Sequence, residues 1–162
     1  MAWPISDRSA RAMYAGGRGN ATARRLSRFW SAAFAAGLFP RRGVTLEVTG
    51  RRSGRVTRFP LIAVDVGGEW YLVSMLGEDC NWVRNVRAAG GRAVVVRRRR
   101  RNPRLLVEVP VADRAPILRR YLAEAPGGRP HVPVDHRAPL DELAHVAARY
   151  PVFRIDPVPQ HP

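Results

Sequence analysis

The stretch Thr49-Gly50-Arg51-Arg52-Ser53-Gly54 gathers two guanidinium groups, a hydroxyl and two glycines into six residues. Glycine lets the backbone turn tightly, and a tight turn aims its N–H groups outward. Guanidinium forks beside such N–H groups suit phosphate or carboxylate. The chemistry on offer is anion binding, although the same composition also describes a plain arginine-rich hairpin tip. A run of five arginines at 97–101 would meet nucleic-acid phosphates. Strand alternation there divides the side chains between two faces, and no aromatic residues are interleaved for base stacking. A solvated hairpin tip is the better reading. Cys80 has no histidine near it in sequence and reads as a small buried residue. His131, Asp135 and His136 share one loop, a set short of what a metal site needs. No nucleophile elbow, phosphate-binding loop or dinucleotide fingerprint occurs. Catalysis by this chain would therefore rest on a bound cofactor.

Hairpins would position these residues. Val44, Leu46 and Val48 alternate with Thr45, Glu47 and Thr49, the period of a half-buried strand. Residues 50–54 turn, and a strand over 56–66 meets another over 69–75 across Gly67-Gly68. A short helix is expected over 80–89, with Asp79 as its cap and Gly90-Gly91 as its stop. On its face lie Trp82, Asn85 and Val86, with Arg84 and Arg87 directed elsewhere. Strands over 93–98 and 105–109 are expected to turn at Asn102-Pro103. Asp113 can cap a helix through residue 125 that buries Ile117, Leu118, Tyr121 and Leu122. Pro139 can open a final helix over 140–149, and 152–155 can form a last strand. Upstream, Leu26, Phe29, Trp30, Ala33 and Phe34 repeat as one helical face flanked by Arg24, Arg25 and Arg28. That face either packs on the domain or touches a membrane surface.

The chain's 162 residues suit one domain: a loose arm over 1–20, the domain over 21–156, and a flexible tail over 157–162. About six hairpin-linked strands with helices around them argue for an α+β antiparallel sheet or small barrel, not a βαβ fold. With one cysteine, no internal disulfide can form. No apolar run reaches membrane-span length and no signal-peptide pattern opens the chain, so the cytoplasm is expected. The net charge is +15, and all 28 basic residues are arginine. A coding bias toward arginine is the plain reading of the missing lysine, but the surplus still calls for an anionic partner.

Four pieces in order resemble the deazaflavin-dependent nitroreductase and quinone reductase family: the turn at 49–54, Pro60-Leu61, the strand and loop over 71–77, and Trp82-x-x-Asn85. The likeness covers roughly 25–155. It implies a six-stranded antiparallel split β-barrel, like that of flavin-mononucleotide-binding proteins, with flanking helices. It also implies coenzyme F420, an 8-hydroxy-5-deazaflavin whose phosphodiester and glutamate tail are anionic. On that resemblance Arg51, Arg52 and Ser53 face the tail or phosphate. Thr57, Arg58, Phe59, Pro60, Leu61 and Ile62 run along the coenzyme. Val73, Ser74, Met75 and Leu76 lie beside the ring, and Asn81, Trp82, Val83, Arg84 and Asn85 close the other side. Where the family carries Pro-Arg after the turn, this chain has Val56-Thr57, and Arg55 or Arg58 is the candidate substitute. The implied activity is hydride transfer to a small organic acceptor, a nitro compound or quinone, with His131, Tyr150 or solvent as proton source. Alternatives from other classes are an FMN enzyme of the same barrel and a non-catalytic binder of an anionic cofactor or lipid. Expected partners are the cofactor and its substrate, no specific nucleic acid and no metal, with a homodimer and peripheral membrane contact through the N-terminal helix kept open.

Overall fold

The computed structural model describes residues 42–159. The expected arm, the amphipathic helix with its membrane contact, and the last three tail residues lie outside them. Among the described residues no helix is long and apolar enough to cross a membrane.

Six strands close an antiparallel barrel: β1 (Gly43–Thr49), β2 (Val56–Val66), β3 (Glu69–Val73), β4 (Arg92–Arg97), β5 (Arg100–Glu108) and β6 (Val152–Pro157). Their order around the ring is β1-β2-β3-β6-β5-β4. Three helices accompany them: α1 (Asn81–Ala88), α2 (Arg114–Glu124) and α3 (Leu140–Ala147). The β2–β3 turn falls at Gly67-Gly68, as the sequence predicts, with φ of 60° and 86°. This is the left-handed pair that a two-residue hairpin requires.

The β4–β5 turn differs from expectation. It is made by Arg98 and Arg99, at φ 47° and 64°, and not by Asn102-Pro103. Pro103 instead sits inside β5 opposite Val94. The β5–β6 register runs from Arg104↔Pro157 to Glu108↔Phe153, so Pro103 has no strand partner on its other side among the described residues. A missing N–H is tolerated there.

Strand alternation sorts the core into two layers. Val44, Leu46, Val48, Ala63, Leu72, Val95, Leu106 and Phe153 fill the barrel, and α1 adds Trp82, Val83 and Val86 to the same cluster. Val64, Val73 and Val152 point the other way, against Ile117, Leu118, Tyr121 and Leu122 of α2 and Leu143 of α3. Tyr121 is thus a core residue, as its helical spacing predicts. Two expected caps are corrected. Cys80, not Asp79, precedes the first turn of α1, and no side chain caps that helix. Asp113 does precede α2, but its side chain makes no capping bond. Asp79 instead forms an ion pair with Arg84.

Candidate functional site

The turn at 50–55 closes on itself through two backbone bonds: Gly54 N–H to Gly50 O and Gly50 N–H to Arg55 O, both 2.8 Å. Ser53 Oγ accepts the Arg55 N–H at 3.3 Å. The N–H groups of Arg52 and Ser53 have no partner among the described residues, and both side chains are exposed. The two glycines are needed for different reasons. Gly54 holds φ +67°, whereas a Cβ on Gly50 would come within 2.7 Å of Ser53 Oγ and 3.2 Å of Arg55 O.

Helix α1 holds this turn through Asn85, which is 3% exposed. Asn85 Oδ1 accepts from the Arg51 backbone N–H at 3.2 Å and from Arg51 Nη1 at 2.9 Å. Its Nδ2 donates to Thr57 Oγ1 at 3.3 Å, and that hydroxyl donates to Val48 O at 2.9 Å. Arg51 Nη1 also reaches Asn81 Oδ1 at 3.5 Å. On its other side α1 is tied down by Arg87. That guanidinium donates twice to Glu108, at 3.0 and 2.6 Å, and once to Glu78, at 2.6 Å. Glu108 also receives buried Arg114 at 3.1 Å. The Arg87 guanidinium accordingly holds the Glu108 carboxyl below the usual carboxylate range.

The remaining expected site residues are divided between the two faces of the barrel wall and helix α1. Phe59 and Leu61, on the same face of β2 as Thr57, pack half-buried against the barrel interior. Arg58 faces outward, where its Nε donates to Glu47 Oε1 at 2.9 Å. Pro60 and Ile62 share that outer face by alternation, and Ile62 packs toward α2. Arg58 therefore lies on the opposite face from Thr57. Arg55 is exposed at the end of the turn. Val73 is buried in the helix layer, and Met75 packs against it. Leu76 packs against the barrel interior instead. Ser74 is buried, and its hydroxyl donates to Gly77 O at 2.8 Å. Trp82 packs on Phe153 at 5.4 Å between ring centroids, and Val83 is fully buried beside it. Both are core residues. Arg84 turns outward to Asp79.

In the sequence Glu47 reads as the polar phase of a half-buried strand. It is 5% exposed and bridges Arg58 and Arg101, the latter at 2.7 Å. Thr45 is buried as well, so β1 is covered on both faces over most of its length. The signal available was the cross-strand pairing of Glu47 with Arg58, which the hairpin register dictates. At the five-arginine run, Arg98, Arg99 and Arg100 form the exposed tip. Arg97 instead lies 5.2 Å over the Trp70 ring.

Of the proton-source candidates, one belongs to the helix layer. Tyr150 is buried there, and its hydroxyl donates to the His131 backbone oxygen at 2.8 Å. Burial pushes its pKa up. Burial likewise pushes the Cys80 thiol up. No group of three or more His, Cys, Asp or Glu side chains among the described residues could hold a metal ion.

A closed six-stranded antiparallel ring with flanking helices is the split-barrel class. A solved structure described as a domain-swapped dimer shares this fold, with TM-score 0.53 and 19% identity over 83% of this chain and 96% of that one. Residues 23–131 match the F420H(2)-dependent quinone reductase family, and the chain belongs to it. An F420-H2 dependent reductase, FDR-A, is 24% identical over 72% of this chain and 95% of its own, with TM-score 0.48. HutZ, a heme storage protein from Vibrio cholerae, is 11% identical over 85% and 90%, also with TM-score 0.48. No curated protein matches the chain.

Proposed function

We propose that this protein is an oxidoreductase that transfers a hydride between coenzyme F420 and a small organic acceptor of the nitro or quinone type. The observation that carries the reading is the turn at 50–55 within a chain of this family. Its exposed Arg52, Ser53 and Arg55 surround two backbone N–H groups without partners among the described residues. An anion is what such a cradle accepts, so the residues fit the phosphodiester and glutamates of the coenzyme.

When bound, the reduced coenzyme supplies the hydride. The chain's own part is to hold and orient. Arg52 and the turn's N–H groups would anchor the anionic portion. Arg51 meets only amides among the described residues, so its charge stays uncancelled beside them. Phe59 and Leu61 would give the ring an apolar neighbour. Tyr150 is a poor proton donor, because its hydroxyl hydrogen already bonds the His131 carbonyl and burial opposes ionisation. His131 and solvent remain as sources. A homodimer is the assembly we propose, supported by the similar domain-swapped structure. A monomer mass by light scattering would remove it.

The test is a fluorescence titration with oxidised coenzyme F420, with flavin mononucleotide alongside. F420 should bind and the flavin should not. Arg52→Ala should weaken F420 binding by about tenfold or more, the size of a lost charge-assisted contact. Arg99→Ala, on an exposed tip, should change it by less than about threefold. Tight flavin binding without F420 binding would replace this reading with an FMN enzyme.

A further inference from the structure

We infer that Asn85 is a positioning residue that sets the shape of the anion-binding turn, and that the Arg51 guanidinium belongs to this brace and not to the ligand. The inference rests on the function proposed above for the turn, but its geometry is independent of it.

Asn85 is an unusual residue for its place. It lies on the buried face of α1 between Trp82, Val83 and Val86, where its neighbours in the helix are core side chains. A buried amide must have its polar atoms met, and both ends of this one are. The carbonyl end faces two donors that belong to one residue of the turn, Arg51. The amide end faces Thr57 Oγ1, whose own hydrogen is directed at Val48 O. The alternative amide orientation would set NH2 against an N–H and a guanidinium, so the chemistry fixes which end is which. One side chain therefore ties together the helix, the first arginine of the turn and the strand that leaves it. Thr57 completes the tie back to β1.

The brace also divides the labour of the paired arginines. Arg51 is turned into α1, where it meets two amides at 2.9 and 3.5 Å. Arg52, next in sequence, is exposed. A carboxylate at position 85 would satisfy Arg51 equally well but would cancel its charge. It would also set an acceptor against Thr57 Oγ1. An amide holds the turn while leaving the local field positive, which suits an anionic ligand.

The test uses the full chain in two arms. In the first, hydrogen exchange of the Arg51 amide is followed by NMR without coenzyme. Protection should be present in the wild type and fall by about tenfold or more in Asn85→Ala, with Thr57→Val showing a smaller loss in the same direction. Thr57→Val leaves Arg51 and Asn85 in place, so it still reports should Asn85→Ala fold poorly. In the second arm, F420 affinity is measured for Asn85→Ala, Arg51→Ala and the double variant. Each single change should weaken binding by about tenfold, and the double by little more than either, because both break one brace. Multiplying losses would mean that the two residues touch the ligand separately, and would overturn the inference. An Arg51 amide whose exchange is unchanged by Asn85→Ala would overturn it whatever the coenzyme does. Should the wild type fail to bind F420 while the exchange arm behaves as expected, the brace stands and the proposed function falls.

Discussion

The two glycines of the turn sit in different physical situations, and substitution should separate them. At Gly54 the φ of +67° is the difficulty and space is not, since a Cβ there would meet nothing within 4 Å. Gly54→Ala should cost about 1–2 kcal/mol in thermal unfolding, and Gly54→Asn clearly less, because asparagine visits the left-handed region readily. At Gly50 the difficulty is contact. Gly50→Ala should push Ser53 Oγ away, with a small loss of melting temperature but a several-fold loss of F420 affinity. Equal melting losses for both alanine variants would contradict this assignment. The motif was legible because glycine, arginine and serine in six residues admit few uses. The role of Asn85 was not, because i to i+3 spacing from Trp82 gave its face but not what the face meets. Only the register of β1 against β2 brings Thr57 and Arg51 to it.

Periodicity gives the elements with boundaries mostly within two residues, and glycine places the turns at 50–54 and 67–68, whereas the Asn102-Pro103 turn and the Asp79 and Asp113 caps do not form as expected. Asn102-Pro103 is a good turn signal, yet the turn fell on Arg98-Arg99, two residues that dislike positive φ. Barrel register fixed by Val95 and Leu106 in the core outweighs that local preference. Replacing Arg98-Arg99 with Asn-Gly should therefore stabilise the protein by about 1–2 kcal/mol, read as a higher melting temperature, with F420 affinity little changed. A lower melting temperature would mean that the arginines make contacts worth more than the strain. Helix α1 carries a second expectation. The native pKa of Glu108 is depressed by Arg87, so the stability it contributes is present above the ordinary glutamate value, about 4.3, and is lost as pH falls through the native value. Urea midpoints of wild type and Glu108→Gln should differ most at neutral pH and converge in acid. A constant gap down to acid pH would show that the pair does not couple to folding.

Across the whole molecule the acids are largely occupied. Glu47, Asp65, Glu78, Asp79, Glu108, Glu124 and Asp156 each pair with arginine. Arg52, Arg55, Arg98, Arg99 and Arg100 have no carboxylate partner among the described residues, and they carry part of the +15 surplus. Salt should then act with opposite signs on two measurements. Raising it toward 1 M shortens the screening length to about 3 Å. This should raise the melting temperature of the free protein by relieving repulsion, and lower F420 affinity. Affinity that is indifferent to salt would argue against an anionic anchor. The overall architecture followed from hairpin-linked strands and one family likeness. Which strands close the barrel did not, because the β1–β4 and β3–β6 pairings join segments far apart in sequence.

That last pairing bears on how the chain comes off the ribosome. β6 is the last strand among the described residues, and it fits between β3 and β5. Until Val152–Pro157 has left the exit tunnel, β3 and β5 each present a row of unpaired backbone groups, the kind of edge on which chains aggregate. Contacts that distant also close slowly. The nascent protein thus passes through an interval with an open sheet that its own sequence cannot yet seal. A chain halted before Val152 should be recovered in the insoluble fraction, while one carried through Pro159 should stay in solution.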